Sequence, residues 1–495
     1  MYARTILNLA AATLVALFLA LSARGQSLPV PKTNPFPVYM HYMPWFQTPT
    51  SQGGTGGSQW GWHWKMNTQN PNVVDASGKR QIASYYYPKI GPYDSSDPNV
   101  IEYHSLLMKY SGIDGVLIDW YGVQGSNGDI NSLLAASNAF VNRSNMYGLG
   151  FGVVLEDRFA RNLADEQANM RYLRDNYFNK SNSIKYGASQ NPLMLNFGPI
   201  TFQTPADWAQ ILPATGADPE FLTLLYQSSE AGANADGEYA WPYQDANTSN
   251  HLNKLRSFYQ TRAPSLKTVG GVAYPGFHDF YQPGGAGSTL FYIPENNGQT
   301  LTEVLNLNTL FQPNLDMLQL ATFNDYGEGT MFEPTVETGF NYLHQIQLYT
   351  GVSYGTDELE LIYELYLARK KYAADAGRQS QLDQVVSYLA ILQVDDARSL
   401  LSQVSPAGDF NADGSVTVAD YNMWRAAFGK STIIYGSGAD GNFDGVIDAR
   451  DYLVWRDAMA AAGNGALADA MAPEAGVGSL ITVAVGAMSW FRARR

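Results

Sequence analysis

Eight short apolar runs, separated by stretches long enough for a helix, constrain this chain more than any other feature. The runs are Val38–Met43, Gly115–Trp120, Phe151–Leu155, Leu193–Phe197, Phe221–Tyr226, Glu238–Trp241, Val269–Tyr274 and Leu318–Phe323. Most read as near-continuous hydrophobic segments, the pattern of strands buried on both faces of a parallel sheet. Eight such units predict an α/β fold, a (β/α)8 TIM barrel over residues 27–355. The sixth run is short and polar; without it the pattern would suit a doubly wound sheet.

The two ends read as export signals. Arg4, an apolar run from Ile6 to Leu21 and the small residues of Ala23-Arg24-Gly25 predict a signal peptide over 1–25. A membrane-spanning helix would need about 20 apolar residues. At the other end, over 463–495, Pro473-Glu474 precedes an apolar stretch from Gly476 to Phe491, then Arg492, Arg494 and Arg495. This arrangement resembles the PEP-CTERM sorting signal, with Ala475 where that motif has Pro. It implies an exported protein, extracellular or at the cell surface, whose C-terminus contacts a membrane.

Composition excludes several chemistries. With 0 Cys there is no disulfide framework, no Cys zinc site and no Cys nucleophile. A net charge of −14 gives no electrostatic footprint for nucleic acid, so no such partner is expected. Charged residues at 15% and aromatics at 13% suit a surface that meets uncharged polar ligands.

Residues 356–404 carry helical periodicity (Leu359, Leu361, Ile362 and Leu365, then Leu389, Leu392 and Val394) and predict a helical hairpin or linker. Residues 405–462 hold an internal repeat. In D-x-N-x-D-G spacing, oxygen donors fall at loop positions 1, 3 and 5, with Gly at 6 for the turn and a backbone carbonyl at 7. The first copy offers Asp409, Asn411, Asp413, Ser415 and Asp420; the second offers Asp440, Asn442, Asp444, Val446, Asp448 and Asp451. Hard oxygen ligands suit Ca²⁺, so two structural calcium sites are expected. Each loop is followed by Tyr and Trp at matched positions, which simple Asn/Asp turns would not require. The loop–helix pair with Asp at position 12 resembles the dockerin type I domain, a small all-α calcium module. The resemblance implies a cohesin-type partner; the alternative is a calcium-stiffened spacer.

The densest chemical constellation follows the last run: Asn324-Asp325-Tyr326-Gly327-Glu328-Gly329-Thr330, then Glu333-Pro334. In a barrel this is the face where catalytic groups sit. Asp325 and Glu328, spaced i and i+3, would share one side of a helical turn. Paired carboxyls with different pKa values are what glycoside hydrolysis needs. A surface turn cluster is the plain alternative. Other strand ends add Tyr42 and Trp45, Asp119 and Trp120, Glu156 beside Arg158, and His278-Asp279. Trp62 lies with Trp60 and Trp64 in a Gly-rich loop, where aromatics can stack on sugar faces. Glu156 could equally be an ion-pair partner of Arg158. No P-loop and no G-x-S-x-G elbow is present.

Taken in order, His41-Tyr42-Met43-Pro44-Trp45, Gly112 to Trp120, Glu156, Pro275 to Asp279 and Asn324 to Pro334 resemble the glycoside hydrolase family 71/99-like group. Family 99 enzymes are (β/α)8 endo-α-mannosidases and endo-α-mannanases with an N-E-W-x-E-G-T-x-x-E-P frame. By that resemblance Glu328 is the general acid/base and Asp325 the base that assists attack by the substrate 2-hydroxyl. Tyr42, Trp45, Trp62, Asp119, Trp120, Glu156, His278, Asp279, Asn324 and Glu333 become substrate-binding candidates. Asp325 stands where family 99 has Glu, and the Asn-Asp-Tyr-Gly-Glu string is similar to family 71, the α-1,3-glucanases. The implied activity is an exported endo-acting glycoside hydrolase on an α-linked polysaccharide, α-mannan or α-1,3-glucan, with no cofactor expected for catalysis. The alternative is a non-catalytic carbohydrate-binding surface protein with a calcium-dependent interaction module.

Overall fold

A computed structural model describes residues 27–49, 59–244 and 250–471. The expected signal peptide, and all but the start of the 463–495 segment, lie outside the described residues. Among those described, no helix is long and apolar enough to cross a membrane. The chain divides into two compact units. The first holds Arg80–Ile362 with 27–73 and 390–392; the second holds Tyr363–Leu389 and 393–471 with 74–79.

The first unit is a closed parallel barrel. Its strands are β1 (Val38–Tyr42), β2 (Gly115–Trp120), β3 (Gly150–Leu155), β4 (Asn191–Asn196), β5 (Glu220–Leu224), β6 (Gly237–Tyr239), β7 (Thr268–Ala273) and β8 (Met317–Leu320). Every neighbouring pair is parallel, and β1 pairs with β8 to close the ring. All eight apolar runs are therefore barrel strands. The sixth is only three residues long, and Gly237 explains how it fits: a Cβ there would lie 1.7 Å from the Thr268 carbonyl oxygen. Helices between strands are locally encoded. Helix Pro98–Tyr110, for example, begins with Pro at its first position, and the Asp97 side chain caps the Asn99 N–H.

Side chains alternate across each strand, so every second residue faces the barrel interior. Tyr39, Leu117, Val154, Leu195, Leu222, Tyr239 and Met317 pack there as the central core. Moving two residues up the same strands reaches His41, Asp119, Glu156, Phe197 and Trp241. These line the mouth of the barrel at the C-terminal strand ends. The opposite parity faces the surrounding helices. Tyr42 and Trp120 take that parity.

In the second unit, helices Ala376–Ala390 and Val394–Val404 follow the one at Thr356–Lys371, so the expected hairpin is a run of three helices. The second break is made at Leu392, whose φ of 65° is left-handed. Each copy of the repeat is a loop followed by a helix, Val418–Ala427 and Ala449–Ala461. Their aromatic faces meet: Tyr421 lies 5.2 Å from Trp455, and Trp424 lies 5.4 Å from Tyr452. The pairing is reciprocal. Trp424 Nε1 donates to the Asp448 carbonyl at 2.8 Å and Trp455 Nε1 to the Thr417 carbonyl at 2.7 Å. Thr417 and Asp448 are the N-caps of the two helices, so each copy's indole closes the start of the other copy's helix.

Candidate active site

The loop after β8 is held in place before it presents any chemistry. Phe323 N–H donates to the His41 carbonyl at 2.7 Å, Thr322 N–H to the Thr330 carbonyl at 2.9 Å, and Phe332 N–H back to the Thr322 carbonyl at 2.9 Å. Within this clamp Asp325 N–H donates to Thr322 Oγ1 at 2.8 Å. Asp325 Oδ1 accepts the Glu328 N–H at 2.9 Å, and the Gly329 N–H reaches the Asp325 carbonyl at 3.0 Å. The i, i+3 pair thus sits on a tight turn rather than on a helix. Gly329 allows the turn: its φ is 68°, and a Cβ would lie 2.6 Å from the His278 carbonyl oxygen.

Asp325 and Glu328 open into one cleft of about 380 Å³, shared with Asp119, Asp129, Glu156 and Arg158. Aromatic walls flank them. Trp45 and His63 stack at 4.0 Å, nearly parallel, and Trp62, Tyr121 and Trp241 complete the lining. Tyr281 donates its hydroxyl to Glu328 Oε1 at 3.0 Å.

Burial dominates the electrostatics. It pushes Glu328 up to about 8, with the Asp325 charge adding to the rise and the Tyr281 hydroxyl opposing it. Asp325 is pushed up less, to about 6, because backbone N–H groups of Glu328 and Gly327 favour its charged form. Across the cleft, burial raises Glu156 to about 7 although Arg158 pairs with it at 2.6 Å. Asp119 is raised well above the ordinary carboxylate range by burial and then by the Glu156 charge. Its Oδ2 is buried with no hydrogen-bond partner among the described residues. Burial depresses His63 to about 3, and His41 to about 4 against its Gln319 contact, so both imidazoles are neutral.

The structure brings together Trp45, Trp62, Asp119, Glu156, Asp325 and Glu328. It places the other substrate-binding candidates elsewhere. Tyr42, on the outward parity of β1, gives its hydroxyl to His104 Nδ1 at 3.1 Å and packs on Phe140. Trp120, outward on β2, packs on Tyr172 and Tyr177. Asn324 is wholly buried and binds both the N–H and the carbonyl of Met43. Glu333 is wholly buried between Tyr93 at 2.7 Å and His104 at 3.1 Å. Asp279 caps the Tyr281 and Leu290 N–H groups, and His278 stacks on Tyr85 at 3.9 Å. These five side chains and His278 shape or surround the site without lining it. Trp64, from the aromatic loop, is core and donates to the Tyr93 carbonyl at 2.8 Å. Sequence reading missed Tyr281, Trp241, Tyr121 and Arg158 as cleft residues. Strand parity would have found Trp241, two residues beyond Tyr239.

In the two repeat loops, Asp409 Oδ2 accepts the Gly414 N–H at 3.1 Å and Asp440 Oδ2 the Gly445 N–H at 2.9 Å. Asp409 Oδ1 is buried and, among the described residues, without a hydrogen-bond partner. Asn411, Asp413 and Ser415 surround the first loop, as Asn442, Asp444 and Val446 do the second. An all-oxygen set with one buried free carboxylate oxygen fits Ca²⁺. Among the described residues no three His, Cys, Asp or Glu side chains converge on one point. Amide, hydroxyl and main-chain oxygens would supply much of the shell. Asp420 and Asp451 already serve as capping-box residues, accepting the N–H groups of Thr417 and Asp448. The Asp448 side chain, at the helix start, caps helix Ala449–Ala461 and pairs with Arg450 at 2.9 Å.

The model of glycosyl hydrolase family 99 matches residues 34–240, and that of the dockerin type I domain matches residues 407–457. The chain is 23% identical over 329 residues to a glycoprotein endo-alpha-1,2-mannosidase of Xenopus laevis, covering 61% of this chain and 70% of that protein. It is 26% identical over 340 residues to the Rattus norvegicus glycoprotein endo-alpha-1,2-mannosidase, covering 62% and 69%. The GH99 endo-alpha-mannosidase structure from Bacteroides thetaiotaomicron shares the fold, with a TM-score of 0.50 and 19% identity over 66% of this chain and 98% of that one.

Proposed function

We propose that this glycoside hydrolase cleaves internal linkages of an α-mannan-type polysaccharide, with Glu328 as proton donor and Asp325 as base. The family 99 match and the endo-alpha-1,2-mannosidase relatives support the substrate class. The observation that carries the roles is the single cleft at the barrel mouth where two carboxyls are pushed to different pKa values. At neutral pH Glu328 keeps its proton and Asp325 is ionised. Glu328 delivers the proton to the glycosidic oxygen as the bond to the anomeric carbon breaks. Asp325 accepts the proton of the sugar 2-hydroxyl as that oxygen attacks the anomeric carbon, and water then completes hydrolysis. Tyr281 orients the donor carboxyl, and the Trp45–His63 stack, Trp62 and Trp241 offer flat apolar faces to sugar rings.

The dockerin match supports a calcium-holding module with a cohesin-type partner, on an exported protein at or outside the cell surface. Asp409, Asn411, Asp413 and Ser415, and their counterparts in the second copy, would hold the ions; bound Ca²⁺ neutralises the loop carboxylates and couples folding to metal.

The test is incubation of the purified chain with α-mannan and with α-1,3-glucan, followed by sizing of the products. Oligosaccharides from mannan support the proposal, and Glu328→Gln should slow their release by about 100-fold or more. Release from α-1,3-glucan alone would move the substrate to the glucan class. Binding of either polymer without products would make the barrel a carbohydrate-binding scaffold.

A further inference from the structure

The two calcium loops are controls for one another. In both, the first Asp holds the Gly at position 6 through Oδ2. In both, the last Asp takes two main-chain N–H groups on Oδ1: Asp420 from Phe410 and Asn411, Asp451 from Gly441 and Asn442. The copies differ in what meets them from outside the repeat.

In the second loop, Asp440 Oδ2 accepts a further N–H from Gly436 at 3.0 Å. In the first, Asp409 Oδ2 accepts the Tyr372 hydroxyl at 2.6 Å and lies 3.3 Å from the Lys371 ammonium. Lys371 also donates to the Asp409 carbonyl oxygen. The turn glycines repeat the contrast. A Cβ on Gly414 would lie 1.3 Å from the Arg378 guanidinium, whereas one on Gly445 would lie 2.6 Å from the Tyr435 ring. Cations press on the first loop where a phenol ring presses on the second. The second loop does have an ion pair, Arg450 with Asp444 at 2.8 Å, but Arg450 is 51% exposed and water screens it. The Asp409 side chain is fully buried, so its interaction with Lys371 is screened far less. Asp409 Oδ1, buried and without a hydrogen-bond partner among the described residues, sits on a carboxylate already shared with an ammonium.

We propose that Lys371 makes the first loop the weaker of two unequal Ca²⁺ sites, so that the second loop fills first. The inference rests on the calcium reading of the module. A second positive charge beside the ligand carboxylate repels the incoming ion and competes for the same oxygen.

The test is calorimetric titration of the full chain with CaCl₂ after chelator treatment. Two classes of site should appear, separated by at least about tenfold, since one extra charge a few ångströms from a divalent ion is worth about that much even in water-like surroundings. Asp413→Ala should remove the weak class and Asp444→Ala the tight one. Lys371→Met, and independently Lys371→Gln, should tighten the weak class by a similar factor and leave the tight class unchanged. One class of equal sites in the unsubstituted chain overturns the proposal, as does a weak class assigned to the second loop. These two results need no Lys371 variant, so a variant that fails to fold leaves the test intact. Unchanged binding in both folded Lys371 variants also overturns it. Absence of any calcium heat would refute the calcium reading itself.

Discussion

The Asp325 carboxylate accepts the backbone N–H of Glu328 at 2.9 Å, so the proposed base is anchored by the main chain of the proposed acid. That bond, with the Gly327 N–H, favours the ionised form of Asp325 and leaves it at about 6, while Glu328 is pushed up to about 8. With the proposed roles, turnover would require Asp325 charged and Glu328 protonated. The plot of kcat/KM against pH should therefore be bell-shaped, falling on the acid side below about 6 and on the alkaline side above about 8. A flat profile across that range would separate the pair from the chemistry.

The same displacement acts on stability. Glu328 rises on folding from 4.5 to about 8, so the folded state prefers it protonated. Its contribution is fully present below 4.5 and is lost as pH rises through about 8. Glu328→Gln removes that titration. The variant should melt at increasingly higher temperature than the parent as pH goes from 6 to about 9. Thermal scans of both proteins at several pH values check this, and a gap that stays constant would contradict it.

Tyr281 gives Glu328 its only hydrogen-bond donor from a side chain among the described contacts, and its bond lowers the Glu328 pKa. Tyr281→Phe should move the alkaline limb of the rate profile to higher pH. It should also reduce kcat by about tenfold, the size of one lost hydrogen bond to a charged or reacting group. A purely structural tyrosine would leave the limb where it was.

What the sequence told in advance followed periodicity, and what it withheld followed loop path. The eight strands were legible because two-sided burial writes itself as continuous apolar runs. Their inward residues were legible too, since Asp119 and Glu156 stand two beyond the core residues Leu117 and Val154. Tyr42 and Trp120 point away from the cleft, which motif membership does not show and strand parity does. Tyr281 could not be found this way. Its place depends on the Phe277–His278 segment pairing with Tyr292–Ile293, and on Phe280 N–H meeting the Gly327 carbonyl at 2.8 Å. Those contacts join positions far apart in sequence, with no local signature. Likewise Glu333 reads as an acid in a motif. Only the fold reveals Tyr93 and His104 on either side of it.

Glu333 then belongs to stability rather than to substrate contact. Its two oxygens hold Tyr93 and His104, both pairs wholly buried, and Tyr93 passes the network on to Asn324 at 3.1 Å. Glu333→Ala should cost about 2–5 kcal/mol, because it leaves two buried partners, Tyr93 and His104, each without this hydrogen bond. Tyr93→Phe should cost about 1 kcal/mol. Urea unfolding of the chain measures both. KM should not change in Tyr93→Phe, whereas a raised KM would return this network to the substrate site.

The reciprocal indole bonds of the small module make a symmetric prediction. Trp424 and Trp455 are each buried, and each closes the start of the other copy's helix through the Asp448 and Thr417 carbonyls. Replacing either by Ala removes a large core side chain and its bond to a part-buried carbonyl, a loss of about 3–5 kcal/mol. A core built from about 50 residues has little more stability than that to lose. In calorimetry with calcium present, both variants should abolish or sharply lower the module's transition. The barrel, a separate compact unit, should melt as before. If only one variant has this effect, the two copies do not share their core equally, and the reciprocal account of the module fails.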